Sequence, residues 1–92
     1  MNLEEQFAFA ILKERKRQNN KWGLQEHEGH AWLGILAEEF GEVAKAINDD
    51  AMDEVKTELE QVAAVCCAMW EQLVSVEKKD LNPQFGVFEK EN

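Results

Sequence analysis

Apolar residues recur at helical spacing through the long stretches of this 92-residue chain, and two of those stretches carry carboxylates on the apolar arc. That combination leaves few folds open. A period near 3.6 residues builds helices and not strands. A carboxylate turned toward a helical core is costly unless something neutralises it. In residues 32–47, successive positions step by roughly 100° around the axis. The apolar arc runs from Ile35 through Ala46, Trp32, Val43, Leu36, Ile47, Phe40 and Leu33 to Ala44 and Ala37. Glu39 falls inside that arc, between Ala46 and Trp32. Glu42 sits at its edge beside Ile35, and Glu38 lies just beyond. The second stretch places Glu58 between Val65 and Met69. Several carboxylates aimed at one place make physical sense if a cation sits between them.

The helices can be bounded from their ends. Asn2 with Glu5 three residues on makes an Asn variant of the capping box, so a first helix is expected from Leu3 to about Asn19. Phe7, Ala10, Ile11 and Glu14 share one of its faces. Lys13, Arg15, Lys16 and Arg17 load its later turns with the cations a helix C-terminus favours. Residues 20–30 hold two glycines and little periodicity, and read as a loop. A second helix is expected from about Ala31 to Asn48, and a third from about Met52 to Lys78. Asp49 or Asp50 is placed to cap the third helix. Val55, Leu59, Val62, Cys66, Met69, Leu73 and Val76 alternate steps of four and three, a heptad-like seam. Ala63, Trp70 and Val74 form a second face. No strand pattern competes. The expected fold is all-α: a small bundle of three main helices plus a C-terminal tail, completed by oligomerisation. The whole chain, 1–92, forms a single domain, with a helical core over 1–80 and an irregular tail over 81–92 that contains Pro83, Phe85, Val87 and Phe88.

Composition narrows the partners. With 19 acidic and 10 basic residues the net charge is −9, so a nucleic acid polymer would be repelled by the average field. A small anion brought in by metal ions is compatible with it. No apolar run reaches the length needed to cross a membrane. Cys66 and Cys67 are adjacent and poorly placed to bridge one another, and Cys66 falls on the apolar arc as a small buried hydrophobe. The amino end, Met-Asn-Leu-Glu-Glu, is not that of a signal peptide, which points to a reducing, cytoplasmic setting.

Glu39 and Glu42, three apart, point the same way from one helix. The short connection at Asn48–Asp50 implies an antiparallel hairpin that brings them to Glu58, with Gln61 one turn further on. An all-oxygen ligand set of Glu39, Glu42, Glu58 and Gln61 favours a hard ion, Mg²⁺ or else Mn²⁺. No glutamate is followed by histidine at the spacing a helical di-iron site uses. Such hard ions keep open positions that water and phosphate oxygens fill. Taken singly, each of these glutamates could instead be part of a solvated face.

The run Glu38-Glu39-Phe40-Gly41-Glu42, followed after fifteen residues by Glu58-Leu59-Glu60-Gln61, resembles the mark of the MazG-like family of all-α nucleoside triphosphate pyrophosphohydrolases. That mark is Glu-Glu-x-x-Glu, a gap, then Glu-x-x-Asp. The resemblance extends upstream through Glu14-Arg15-Lys16-Arg17-Gln18 and Lys21-Trp22-Gly23 to Trp32, and covers about residues 4–71. It implies a Mg²⁺-dependent enzyme that cleaves a nucleoside triphosphate, ribo or deoxy, to the monophosphate and pyrophosphate. The physiological role implied is clearing surplus or non-standard nucleotides from the pool. Three helices of this length leave more apolar surface than one monomer can cover, so a dimer or dimer of dimers is expected, and the resemblance implies that such pairing also completes the pocket. One departure stands out: Gln61 occupies the place of the family's final aspartate. A glutamine offers a carbonyl oxygen and no charge, which thins the metal shell.

In that reaction Glu38, the acidic residue least committed to the apolar seam, is the candidate general base. Its alternative is a surface glutamate beside Lys45. Arg17 or Lys21 can meet phosphate, and Lys56 can approach one from the third helix or stay in solvent. Gln18 and Gln25 can read a base edge. Trp22 can stack on a base or act as a hydrophobic lid. His27 and His30, in the loop, lack a third ligand and are at most contacts to substrate. The competing readings are a non-catalytic helical module for oligomerisation or nucleotide binding, and a nucleotide or metal sensor that binds without turnover.

Overall fold

The computed structural model describes residues 1–79, with side chains through Ser75, and contains three α-helices in that span: α1 (Leu3–Trp22), α2 (Gly29–Asn48) and α3 (Met52–Lys79). No strand occurs among the described residues. The tail over 81–92 lies outside the described residues, and Val76, the last seam residue, falls in α3 beyond the side chains described. Helix α3 is the central element and packs against both α1 and α2.

The capping box forms as the spacing predicts. Asn2 Oδ1 accepts from Glu5 N at 2.8 Å, and Asn2 N donates to Glu5 Oε1 at 2.9 Å. Helix α1 runs three residues past Asn19, because Asn20, Lys21 and Trp22 contain no breaker. It stops at Gly23, whose φ of 76° is left-handed and whose N–H closes on Asn19 O at 2.8 Å. The expected loop therefore shrinks to residues 23–28. Helix α2 begins two residues early, since Glu28 caps it by accepting from Ala31 N at 2.7 Å.

The α2–α3 hairpin turns at Asp50, which takes φ 55°, a conformation Asp tolerates better than most residues. Asp50 N donates to Ile47 O, and Ala51 N donates to Ala46 O. Neither aspartate caps α3 in the way expected. Asp49 instead pairs with Lys45 at 2.9 Å, and Asp50 makes the turn.

The core is small. Trp32, Ala46, Ala64 and Val65 are buried, with Ile35, Leu36, Ala68, Met69 and Leu73 packed against Trp32 and Val65. On α3 the line that faces the chain is Ala64, Val65 and Gln72, all buried, with Gln61 and Ala68 half-buried, so the heptad seam contributes only its near edge. Val62, Met69 and Leu73 are half-buried, whereas Leu59 and Cys66 are exposed. Cys66 is thus not the buried hydrophobe expected, and both cysteines are free. On α2 only the half of the arc through Trp32, Ile35, Leu36, Val43 and Ala46 faces the chain. Leu33, Ala37, Phe40, Ala44 and Ile47 form an exposed stripe in steps of four and three. No helix among the described residues is long and apolar enough to cross a membrane.

Candidate functional site

Helix α2 carries Glu39 and Glu42 one turn apart, and the hairpin brings Glu58 of α3 opposite them. One carboxylate oxygen from each of the three lies within 4.8 Å of the others. Oε2 of Glu39 and Oε2 of Glu58 are buried and accept no hydrogen bond among the described residues. Acceptors shut away from water without a donor carry a desolvation cost. The charge state reflects it. Burial first, then the charges of Glu42, Glu58, Glu38 and Glu14, push the Glu39 carboxyl above the ordinary glutamate range. Burial also leads for Glu58, followed by the neighbouring Glu42 and then Glu54. The donor set is all oxygen, and two of its members have an oxygen in need of a partner. This fits a hard divalent cation.

Beside the cluster, α1, the 23–28 loop, α2 and α3 enclose a cavity of about 310 Å³. Glu39 and Gln61 stand in its wall with Trp32 and Val65. Helix α1 faces them with Glu14, Arg15, Arg17, Gln18, Asn19 and Trp22, and the loop adds Gln25. Glu14 organises the α1 side. It accepts from Arg17 Nε at 2.9 Å, from an Arg17 terminal nitrogen at 2.7 Å and from Gln18 Nε2 at 3.1 Å. The Arg17 partnership holds the Glu14 carboxyl below the ordinary range against the opposing effect of burial. Arg17 also lies 5.7 Å from the centre of the Trp22 ring, and Lys21 lies 4.8 Å from it. Arg15 reaches across to α3, where it pairs with Glu71 at 2.6 Å.

Of the residues expected at substrate, Arg17, Gln18, Trp22 and Gln25 line the cavity. Lys21 does not and sits over the Trp22 ring. Lys56 does not either; it lies 3.9 Å from Asp53 on the α3 surface. Glu38 is exposed next to Glu39 and outside the cavity wall, and Lys45, its suggested partner, pairs with Asp49. His30 lies 3.4 Å from Glu28, whereas His27 packs edge-on against Trp32 at 4.8 Å between ring centres.

Sequence reasoning missed Gln72, the one buried polar side chain among the described residues. Its Oε1 accepts from Trp32 Nε1 at 3.0 Å and from His27 N at 2.9 Å, while its Nε2 donates to His27 O at 2.8 Å. One carboxamide thereby ties the 23–28 loop and α2 to α3, and sets the wall that carries Gln25. The available signal was position: Gln72 falls seven residues after Val65, on the same line of the helix. Glu14 and Arg15 also line the cavity, although the sequence marks Glu14 only by the face it shares with Phe7, Ala10 and Ile11 and Arg15 only by the basic end of the helix.

No family model, curated protein or solved structure matches the chain.

Proposed function

We propose that the protein is a Mg²⁺-dependent nucleoside triphosphate pyrophosphohydrolase that cleaves a (d)NTP to the monophosphate and pyrophosphate. The observation that supports it best is the adjacency of the three-carboxylate cluster, with its two unpaired buried oxygens, to a cavity bearing Arg17. A triphosphate needs both: a divalent cation for its charge and a guanidinium for its outer oxygens. The motif likeness to MazG-like enzymes points the same way, and a role in clearing unwanted nucleotides rests on that likeness.

Glu39, Glu42 and Glu58 would hold the cation, with Gln61 offering a neutral carbonyl oxygen alongside. Bound Mg²⁺ would supply charge neutralisation for the triphosphate and its leaving pyrophosphate. The chain's own residues do the rest. Arg17, held by Glu14 and the Trp22 face, binds phosphate oxygens. Gln18 and Gln25 contact the base. Glu38, adjacent to Glu39 and without a hydrogen-bond or ion-pair partner among the described residues, accepts a proton from the attacking water. The wall of Trp32, Ile35, Val65 and Ala68 excludes bulk water from one side.

A second copy of the chain belongs to this reading. The α2 stripe of Leu33, Ala37, Phe40, Ala44 and Ile47 is apolar and exposed, as are Leu59 and Trp70 on α3. Its four-three spacing suits a helix-on-helix seam across a two-fold axis. The dimer, or dimer of dimers, would work in the reducing cytoplasm that two free cysteines suit. Incubation with a panel of standard and modified nucleotides tests the activity, with pyrophosphate measured with and without Mg²⁺. Absence of Mg²⁺-dependent pyrophosphate across the panel refutes it. Light scattering at micromolar concentration tests the pairing, and a monomer there refutes it.

A further inference from the structure

A second concavity, a groove of about 550 Å³, runs along α1 beside Glu71 of α3. Phe9 and Leu12 are its apolar lining, and they are 52% and 64% exposed. Lys13 and Lys16 follow at helical spacing on the same face and line it too. Lys13 lies 5.9 Å from the centre of the Phe9 ring. Neither lysine has an ion-pair partner among the described residues. On a chain of net charge −9 this is a local patch of the opposite sign. It also lies on the least anchored helix. Helix α1 packs on α3 alone and has no buried residue. A helix in water owes most of its stability to the packing of an apolar face, so α1 gains from cover on this side.

The groove calls for a segment that is both apolar and acidic. A second copy docked through the same face would set Lys13 and Lys16 against themselves across a two-fold axis, which their charge opposes. Residues 80–92, outside the described residues, have the complementary composition. Phe85, Val87 and Phe88 are followed by Glu89 and Glu91, with Asp80 before them and Lys90 as the one cation. They are also close enough along the chain. Glu71 in the groove wall is eight residues before the end of α3 at Lys79, about 12 Å along the axis. Arg15, which pairs with Glu71, is six residues from Phe9, about 9 Å along α1. Phe85 and Phe88 follow Lys79 by six and nine residues, which can span up to roughly 20 and 30 Å. Attachment to α3 gives this segment a high effective concentration at the groove that a separate partner lacks.

We propose that residues 85–91 of the same chain dock in this groove, with Phe85 and Phe88 covering Phe9 and Leu12 and with Glu89 and Glu91 meeting Lys13 and Lys16. The docked segment clamps α1, the helix that brings Arg17 and Gln18 to the cavity. It stands independently of the hydrolase reading. Hydroxyl-radical footprinting of the full chain, read by mass spectrometry at Phe9 and Leu12, tests it at two protein concentrations. Both residues should be protected equally at the two concentrations. Phe85→Ser/Phe88→Ser should raise their labelling several-fold while circular dichroism shows the helices retained. Unchanged labelling overturns the proposal. Protection that grows with protein concentration makes a second copy the occupant and overturns it as well. Carbodiimide coupling of the unsubstituted chain needs no variant. Links from Lys13 or Lys16 to Glu89 or Glu91 within one chain support the docking, and links only between chains, or none, overturn it.

Discussion

Glu58→Gln removes one of three charges from the cluster, and its effect on the metal-free protein has a calculable sign and size. The ligand oxygens of Glu39, Glu42 and Glu58 lie within 4.8 Å of one another. Two unit charges at that distance repel by about 3.5 kcal/mol at an effective dielectric constant of about 20, and by about 0.9 kcal/mol in bulk water. Glu42 is exposed, so solvent screens its share and the lower figure, about 1 kcal/mol per pair, is the better guide. Two of the three pairs vanish in the variant. Without metal at pH 8 it should therefore be more stable than the parent by about 1–2 kcal/mol, or about 4–16 °C in Tm for a domain of this size. The pH dependence follows from the raised carboxyls of Glu39 and Glu58. A group whose folded-state pKa lies above its unfolded value binds its proton more tightly in the folded chain. Its contribution is fully favourable below the ordinary value of 4.5 and is lost as pH rises through the folded value. The gap between variant and parent should thus open from about pH 4.5 upward. Mg²⁺ should close it by stabilising the parent more than the variant. Circular dichroism melts at fixed protein concentration, at several pH values with and without Mg²⁺, measure all of this. A metal-free variant no more stable than the parent at pH 8, or an equal Mg²⁺ shift in both, refutes the reasoning.

Other substitutions test neighbouring links. Gln72→Leu strips three hydrogen bonds from Trp32 and His27 and leaves their polar groups unpaired, so urea unfolding should show a loss of about 2–4 kcal/mol; a loss under about 0.5 kcal/mol would mean that the tether does not hold the loop. Glu38→Gln should lower kcat by about 10²- to 10⁴-fold while Mg²⁺ affinity stays unchanged, and near-normal turnover would reject Glu38 as the base. Gln61→Asp adds a carboxylate beside Glu39 in the cavity wall and should tighten Mg²⁺ binding in a calorimetric titration; unchanged or weaker binding would place Gln61 outside the metal shell.

Helix existence and order were readable because three long segments keep one period and because Asn2 and Glu5 spell out a cap. The boundaries shifted where a cap used unfamiliar chemistry. Glu28 is not among the usual N-cap residues, yet a carboxylate at a helix N-terminus gains from the dipole as well as from the Ala31 N–H. The phase of α3 was harder to read. The heptad line through Leu59 and Cys66 is more apolar than the line through Val65 and Ala68, which carries Gln61 and Gln72, so periodicity alone points to the line that this chain leaves more exposed. What separates them is Trp32: its indole N–H needs an acceptor, and Gln72 on the Val65 line supplies one. The same logic explains the cavity. Glu39, Glu42 and Glu58 stood out as carboxylates on apolar arcs. Glu14 shares a face with Phe7, Ala10 and Ile11 in the sequence, and only its contacts with Arg17 and Gln18 reveal its part in the wall.

The charge pattern of the cavity bears on how an anion could reach it. The chain as a whole carries −9, and the cluster opposes a triphosphate further. Arg17 and Arg15 are the cations of the wall, and each is already paired, with Glu14 and Glu71 respectively. The net field at the cavity is therefore negative before any ligand arrives, and phosphate alone gains little there. A divalent cation inverts that balance, because it neutralises the cluster and at the same time presents open positions to phosphate oxygens. Under the proposed function, nucleotide recognition by these residues would thus be coupled to the cation by charge alone. Glu14 adds to the coupling: as it holds Arg17 in the wall, its charge also raises the Glu39 carboxyl and increases what the cation has to offset.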